Sequence, residues 1–169
     1  MLELILFRHA RSETFSTSIT DFDRDLVDSG IQDTNKVCSY LATKIDTPDR
    51  IISSPAKRAL ATADIIATAL QYPEDAIETQ AEIYEASLKN LQEIIDTFRM
   101  KDKRILLVGH NPGFSELSTY LAGNAMALPT AAVAGFRFNL STWKAICQNS
   151  GQCFLFDYPK SDKHNKGAN

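Results

Sequence analysis

Short apolar segments alternate with amphipathic segments along most of this chain, and this alternation limits the fold more than any other feature. The apolar runs have strand length and end abruptly at polar residues. The segments between them repeat apolar residues at helical spacing. Strands that alternate with helices form a mainly parallel sheet that is covered on both faces. We therefore predict a three-layer α/β/α sandwich with a mainly parallel central sheet.

The same periodicity predicts the individual elements. Strands are expected at Leu2–Phe7, Arg50–Ser53, Ala76–Thr79, Ile105–Val108, Ala132–Asn139 and Gln152–Tyr158. Helices are expected at Ile31–Ile45, Pro55–Leu70, Leu88–Phe98 and Gly113–Leu121, the last of them closed by Gly123. No Pro-, Gly- or Ser-rich linker divides these elements. Residues 1–158 are therefore predicted to form one domain, followed by a polar tail at 159–169 that contains His164.

Composition excludes several classes of function. With 18 basic and 21 acidic residues, the net charge of −3 does not provide the basic surface of a general nucleic-acid binder. No stretch approaches the ~20 apolar residues that span a bilayer, so we expect a soluble cytoplasmic protein with no membrane partner. The three cysteines, Cys38, Cys147 and Cys153, lack metal-type spacing and fit a reducing compartment.

Polar residues stand where three of the predicted strands end. Arg8 and His9 follow the first strand, Arg58 lies in the opening turn of the helix after Arg50–Ser53, and His110 follows Ile105–Val108. Ligands of open α/β sheets bind beyond the carboxyl ends of the strands. Each residue alone has an ordinary explanation as a turn residue or a solvated arginine. Their coincidence at one edge of the sheet predicts a single site.

These four side chains suit phosphoryl transfer. Two arginines bind phosphoryl oxygens through forked, charge-assisted hydrogen bonds. A neutral imidazole can accept the phosphoryl group, and nearby arginines favour the neutral form because they disfavour a further positive charge. The second histidine can donate a hydrogen bond to a phosphoryl oxygen. Because the side chains supply both nucleophile and charge, no metal and no other cofactor are expected.

Two helix starts adjoin the predicted site. Ser54 followed by Pro55 is typical of a helix start with the serine as cap. Asn111 followed by Pro112 is likewise typical of a helix start, with the asparagine as cap. A helix N-terminus favours anions, so an arginine in the first turn after Ser54 makes sense where an anion also binds.

Six stretches in this order resemble the histidine phosphatase superfamily, the phosphoglycerate mutase-like group, and within it the compact SixA-type phosphohistidine phosphatases. They are LILFRHARSE, DFDRDLVDSG, IISSPAKRALATADII, EIYEAS, LLVGHNPGFSEL and LPTAAVAGFRF. The resemblance covers about Leu2 to Tyr158 and implies the phosphoglycerate mutase-like fold. The chain departs from the family pattern at Ala10, where much of the superfamily has glycine, and at Asp25, where a proline is expected after Arg24.

The resemblance also implies roles for individual residues. His9 would be the phosphoryl acceptor, and Arg8, Arg58 and His110 would complete a phosphate pocket. Glu85 lies in the part of the chain where the superfamily carries a proton donor, with a solvated loop carboxylate as the alternative.

Three further residues are expected to bind substrate. They are Arg11, Ser12 and Asn111. For Ser12 and Asn111, the alternative is that they serve turn and cap chemistry alone.

The activity implied by the resemblance is a metal-independent phosphatase that works through a phosphohistidine intermediate. The implied substrate is phosphohistidine on a partner protein, such as a histidine-phosphotransfer domain. A small phosphomonoester is one alternative, and a phosphate-binding regulatory protein without turnover is another. The chain lacks room for the large insertions of mutases and acid phosphatases, which favours an open site. Nothing in the sequence demands an oligomer, so a monomer is expected.

Overall fold

The computed structural model describes residues 1–160, which contain a six-stranded sheet and four α-helices. The strands are β1 (Leu2–Arg8), β2 (Arg50–Ser53), β3 (Glu78–Thr79), β4 (Arg104–Gly109), β5 (Val133–Phe138) and β6 (Gln152–Asp157). The helices are α1 (Asp28–Leu41), α2 (Lys57–Ala69), α3 (Leu88–Asp96) and α4 (Gly113–Ala122). Residues 161–169 of the predicted polar tail, which include His164, lie outside the described residues.

The sheet has the strand order β3-β2-β4-β1-β5-β6 and is mainly parallel. Strands β3, β2, β4 and β1 pair in parallel, whereas β5 pairs antiparallel with both β1 and β6. This confirms the predicted fold class. In the register, Phe7 lies opposite Val108 and Ser53 lies opposite the same residue, so β1, β4 and β2 end level with one another.

Alternate side chains of β1 belong to two separate cores, one on each face of the sheet. Leu4 and Leu6 pack with residues of α3 and α4, whereas Ile5 and Phe7 pack with residues of α1 and α2. Successive side chains of a strand point to opposite faces, so the consecutive apolar residues from Leu4 to Phe7 indicate helices on both sides. The architecture is therefore the predicted three-layer α/β/α sandwich. No helix within residues 1–160 is long and apolar enough to cross a membrane.

The helix boundaries differ from the sequence prediction by one to four residues, except at the starts of α3 and α4. Helix α1 ends at Leu41 rather than Ile45, although the N–H of Ile45 still donates to the Leu41 carbonyl in the turn that follows. Helix α2 begins at Lys57, and Ser54 does not cap it. The Ser54 hydroxyl instead accepts a hydrogen bond from the N–H of Ala56 and contacts a histidine described below. The predicted closure of α4 by Gly123 is confirmed, since this residue has a left-handed φ of 75°.

Candidate active site

A cavity of about 440 Å³ opens at the carboxyl ends of β1 and β4. All eight residues that the sequence singled out line it: Arg8, His9, Arg11, Ser12, Arg58, Glu85, His110 and Asn111. Four residues that it did not single out line it as well: Asp21, Arg24, Tyr84 and Thr130. The level ends of the strands explain how residues about 100 positions apart in the chain meet here.

His9 is a buried, neutral imidazole with one nitrogen turned to the cavity. Its Nδ1 lies 2.7 Å from the carbonyl oxygen of Ala10. A carbonyl only accepts, so Nδ1 carries the proton and Nε2 carries a lone pair. Nε2 accepts a hydrogen bond of 3.3 Å from Nε of Arg58. Burial, followed by the positive charges of Arg58, Arg8 and Arg24, lowers the pKa of His9 to about 4, against a raising contribution from the Ala10 bond.

His110 lies beside His9, with the two ring centroids 5.0 Å apart. Nη2 of Arg58 lies 3.4 Å from its Nδ1, and since arginine only donates, Nδ1 is the acceptor. The proton therefore sits on Nε2, which donates to the Ser54 hydroxyl at 2.7 Å. Burial, then His9 and Arg58, lower the pKa of His110 to about 3. Both imidazoles are therefore uncharged at neutral pH, and each has one nitrogen with a proton and one with a free lone pair.

Arg8 and Arg58 reach the cavity from different elements. Arg58 is the second residue of α2 and is 4% exposed, so its guanidinium is held almost wholly inside the protein. Arg8 ends β1, and its Nη1 donates to the carbonyl of Leu128 at 2.8 Å. Burial lowers the pKa of Arg8. Its buried Nε has no hydrogen-bond partner within residues 1–160. A buried donor without a partner is rare, and an anion in the cavity is one group that would satisfy it.

Asp21 is the acidic centre of the cavity, and the sequence analysis did not identify it. Its Oδ1 accepts from Nη2 and Nε of Arg24 at 2.7 and 3.1 Å. Its Oδ2 accepts from the Tyr84 hydroxyl at 2.7 Å and from Nη2 of Arg58 at 3.0 Å. The Tyr84 hydrogen bond, then those of Arg24 and Arg58, lower the pKa of Asp21 to about 2 despite partial burial. The carboxylate is therefore ionised at neutral pH.

The pairing of Asp21 with Arg24 carried one signal in the sequence. The two residues stand three positions apart in DFDRDLVDSG, a spacing at which side chains on a helical turn meet, and Asp21–Asp23 do form one turn of 3-10 helix. Nothing in that spacing pointed to Arg58 or Tyr84. Tyr84 stacks edge-on against His110, and burial and Asp21 raise its pKa to about 12.

The remaining predicted residues differ in how strongly the fold holds them. Asn111 donates to the carbonyl of Leu128 at 2.9 Å and accepts from the N–H of Ser115 at 3.2 Å, so its amide is committed to local structure. Arg11 is exposed. Glu85 is also exposed, and its φ of 55° places it in the left-handed region that few non-glycine residues adopt.

Asp25, one of the two departures from the family pattern, follows the cavity residue Arg24 in the chain and has partners of its own. Its N–H donates to the carboxylate of Glu13 at 3.0 Å, a hydrogen bond that a proline could not make. Its side chain pairs with Lys57 at 2.9 Å, and both groups are more than half exposed. Pairs as exposed as this one contribute little to stability, because solvent screens the two charges.

The balance of charge in the cavity suits an anion. Four arginines face the Asp21 carboxylate and the exposed Glu85 there, and both histidines are neutral, so the lining carries a net positive charge with or without a proton on Glu85. Within the part of the chain that the structure describes, no group of three or more His, Cys, Asp or Glu residues is arranged to hold a metal ion. The cavity therefore combines an unprotonated imidazole nitrogen with several guanidinium donors.

Comparison with known proteins gives a family match and a shared fold. The family model described as histidine phosphatase superfamily (branch 1) matches residues 4–106. An uncharacterized chloroplastic protein of Arabidopsis thaliana is 29% identical over 156 residues, covering 88% of this chain and 72% of that protein.

Two solved structures share the architecture. The putative phosphohistidine phosphatase SixA from Agrobacterium tumefaciens superposes with a TM-score of 0.78 at 23% identity, covering 94% of this chain and 99% of that one. A protein histidine phosphatase SixA complexed with tungstate also gives 0.78, at 17% identity, covering 94% and 97%.

Proposed function

This chain belongs to the histidine phosphatase superfamily, branch 1, and from that membership we propose that it is a metal-independent phosphatase that forms a phosphohistidine intermediate on His9. One observation carries the proposal. The unprotonated Nε2 of His9 faces a cavity whose other side chains include Arg8 and Arg58. A lone pair and fixed positive charge are the two requirements for receiving a phosphoryl group.

In the first step of the proposed reaction, the Nε2 lone pair of His9 attacks phosphorus and forms a P–N bond. The bond from phosphorus to the leaving group breaks, and the leaving group takes up a proton. Water then attacks the phosphohistidine, forms a new P–O bond and breaks the P–N bond, and the proton that water loses returns to the group that protonated the leaving group. Inorganic phosphate is released, and Nε2 regains its lone pair. Throughout, Nδ1 keeps its proton, which it donates to the carbonyl oxygen of Ala10.

The arginines stabilise the charge that is transferred. The hydrogen bonds from Arg58 to the two imidazoles are long, at 3.3 and 3.4 Å. A phosphoryl oxygen between the rings would accept these N–H groups at shorter distances and free the His9 lone pair for attack. The unpartnered Nε of Arg8 supplies a further donor. Such donors contribute most where they are already oriented before the reaction.

His110 and Glu85 are proposed to handle protons. Nδ1 of His110 accepts from Arg58 in this tautomer, so it must gain a proton before it can donate to phosphate. A change of tautomer supplies one, with the Ser54 hydroxyl then donating to Nε2, and an extra proton on the ring is the other route. A phosphate dianion beside the ring would stabilise that extra proton. Glu85 lines the same cavity and is exposed, where it can reach a leaving group. We propose Glu85 as the group that protonates it.

The proposed substrate is phosphohistidine on a partner protein, such as a histidine-phosphotransfer domain. The fold shared with two structures named for phosphohistidine phosphatases supports this choice over a small phosphomonoester. We further propose that residues 1–158 act as one domain, as a monomer in the cytoplasm. The three cysteines Cys38, Cys147 and Cys153 are free thiols in the structure, which suits a reducing compartment.

The test is phosphate release in the presence of a chelator, from p-nitrophenyl phosphate and from a phosphorylated histidine-phosphotransfer protein. Wild type is compared with His9→Ala and with a matched histidine control, His164→Ala. We expect wild type and the control to turn over and His9→Ala to be inactive. Faster turnover of the phosphoprotein supports the substrate proposal, and a clear preference for the small ester contradicts it.

A second measurement separates turnover from binding. Brief reaction with ³²P-labelled substrate should trap a labelled protein that is stable to alkali, labile to acid and absent from His9→Ala. Wild type that binds phosphate without forming this intermediate would instead be a phosphate-binding regulatory protein. Full activity in His9→Ala would refute the mechanism.

A further inference from the structure

The guanidinium of Arg58 has two edges with different partners. Its inner edge, Nε and Nη2, donates to Nε2 of His9 and Nδ1 of His110. Its outer edge, Nη1 and Nη2, donates to Asp21 alone: Nη1 to the backbone carbonyl at 2.6 Å and Nη2 to the carboxylate at 3.0 Å. The outer bonds are the shorter ones. The orientation of the inner edge is therefore set by a residue on the opposite side of the guanidinium.

Asp21 is itself held in place by two side chains besides Arg58. Arg24 donates two hydrogen bonds to Oδ1 of Asp21, and Tyr84 donates one to Oδ2. Arg24 in turn donates to the carbonyl of Glu13 at 2.7 Å, which links the turn Asp21–Asp23 to the segment after β1. A planar guanidinium held by two acceptors on one edge loses its freedom to rotate. The Asp21 side chain is 41% exposed, whereas that of Arg58 is 5% exposed. The carboxylate therefore closes the outer side of a buried cation.

We infer that Asp21 is a positioning residue for the proposed phosphoryl transfer, acting through Arg58. It holds the guanidinium so that its Nε and Nη2 point between the two imidazoles, where a phosphoryl group would lie. This inference rests on the proposed function, because the position of Arg58 matters only if a phosphoryl group is transferred there. Asp21 does not act as a proton donor, because its carboxylate is ionised and accepts every hydrogen bond it makes.

Kinetic measurements can distinguish a positioning role of Asp21 from a simple effect of its negative charge. A carboxylate beside an anion site repels phosphate, so its removal by Asp21→Asn would tighten ground-state binding if charge were its main contribution. Positioning predicts a different pattern. Loss of the preset geometry lowers kcat without raising KM, whereas loss of the charge alone would lower KM and leave kcat unchanged.

The experiment compares wild type, Asp21→Asn and Asp23→Asn. Asp23 is the matched control, since it lies in the same turn and its carboxylate accepts from Thr20 rather than from an arginine. The first readout is kcat and KM on p-nitrophenyl phosphate. We expect Asp21→Asn to lower kcat by about 10²-fold without raising KM, as a misplaced catalytic group does, and Asp23→Asn to match wild type.

The second readout needs no turnover. In a ¹H–¹⁵N spectrum, Nε–H of Arg58, assigned by its absence in Arg58→Lys, should give a slowly exchanging signal because His9 accepts it. We expect the signal in wild type and Asp23→Asn and its loss in Asp21→Asn. If wild type is inactive, the proposed function fails, yet this signal still decides whether Asp21 orients Arg58. A retained signal in Asp21→Asn, or a kcat within twofold of active wild type, would overturn the inference.

Discussion

The hydroxyl of Ser54 lies 2.7 Å from Nε2 of His110, so the residue after β2 holds the imidazole of the residue after β4 by a hydrogen bond. Both groups are buried, His110 with 8% and Ser54 with none of its surface exposed. The serine oxygen also accepts from the N–H of Ala56 just before α2. One hydroxyl therefore connects the start of α2 with the imidazole in the cavity.

Ser54→Ala should impair both activity and stability. The substitution leaves Nε2–H of His110 buried without an acceptor, which costs about 1–3 kcal/mol. We also expect a lower kcat, because the ring loses the bond that sets its orientation. Urea unfolding and kcat on p-nitrophenyl phosphate measure the two effects. Ser53→Ala is the control, since its buried hydroxyl donates to the Ser54 carbonyl and does not contact His110. Equal kcat in the two variants would contradict this account.

The sequence was sufficient to predict the sheet and the side chains at its edge. The strand Leu2–Arg8 is apolar except for Glu3 and its last residue, and the apolar run stops where Arg8 and His9 begin, so the site and the strand end appear together. Parallel strands that end level then bring His110 to the same cavity. These features depend on local periodicity and on topology, which a sequence carries directly.

Asp21 and Ser54 could not be predicted in the same way, because their contacts arise from tertiary packing. Asp21 bonds Arg58 across 37 positions and Tyr84 across 63. Ser54 fitted the local pattern of a helix cap, yet the fold uses its hydroxyl for a histidine 56 positions away. Local propensity gives no information about which distant donor competes for such a side chain.

Acid should destabilise the protein through His9. Its pKa is 6.5 in the unfolded chain and about 4 in the folded one. As pH falls below 6.5 the unfolded chain binds the proton and the folded chain does not, so the free energy of unfolding decreases until about pH 4. The expected slope is about 1 kcal/mol per pH unit for this group.

The comparison of wild type with His9→Gln checks this linkage. Urea unfolding at pH 7 and pH 5 should show a larger loss of stability on acidification for wild type, because glutamine does not titrate. The same loss in both proteins would mean that His9 takes up its proton as readily folded as unfolded.

Gly30→Ala should destabilise the protein even though alanine favours helices. Gly30 lies in α1, where the exchange alone would stabilise a helix by about 1 kcal/mol. A Cβ at this position would overlap the backbone carbonyl oxygen of Arg11, and backbone cannot yield as a flexible side chain does. The N–H of Val27 already donates to that same carbonyl at 3.1 Å. The overlap would therefore displace the segment that carries Arg11 and Ser12 along the cavity.

The measurements for Gly30→Ala are the urea midpoint and kcat, with Gln32→Ala, at an exposed position of the same helix, as control. We expect both quantities to fall in Gly30→Ala and to stay near wild type in the control. An increase in stability in Gly30→Ala would show that helix propensity outweighs the contact with Arg11.

Glu85→Gln should slow turnover in proportion to the need of the leaving group for a proton. Glutamine keeps the size of the side chain in the exposed, left-handed position of Glu85 but cannot donate a carboxyl proton. Nitrophenolate leaves without protonation. An alkoxide, such as the one that phosphoserine would release, needs a proton in order to leave. If Glu85 protonates the leaving group, kcat on an alkyl phosphate should fall by about 10²-fold or more and kcat on p-nitrophenyl phosphate should change little. Equal losses on both esters would instead indicate that Glu85 acts on a part of the reaction that does not depend on the leaving group, or on folding, and the proton would have to come from another group.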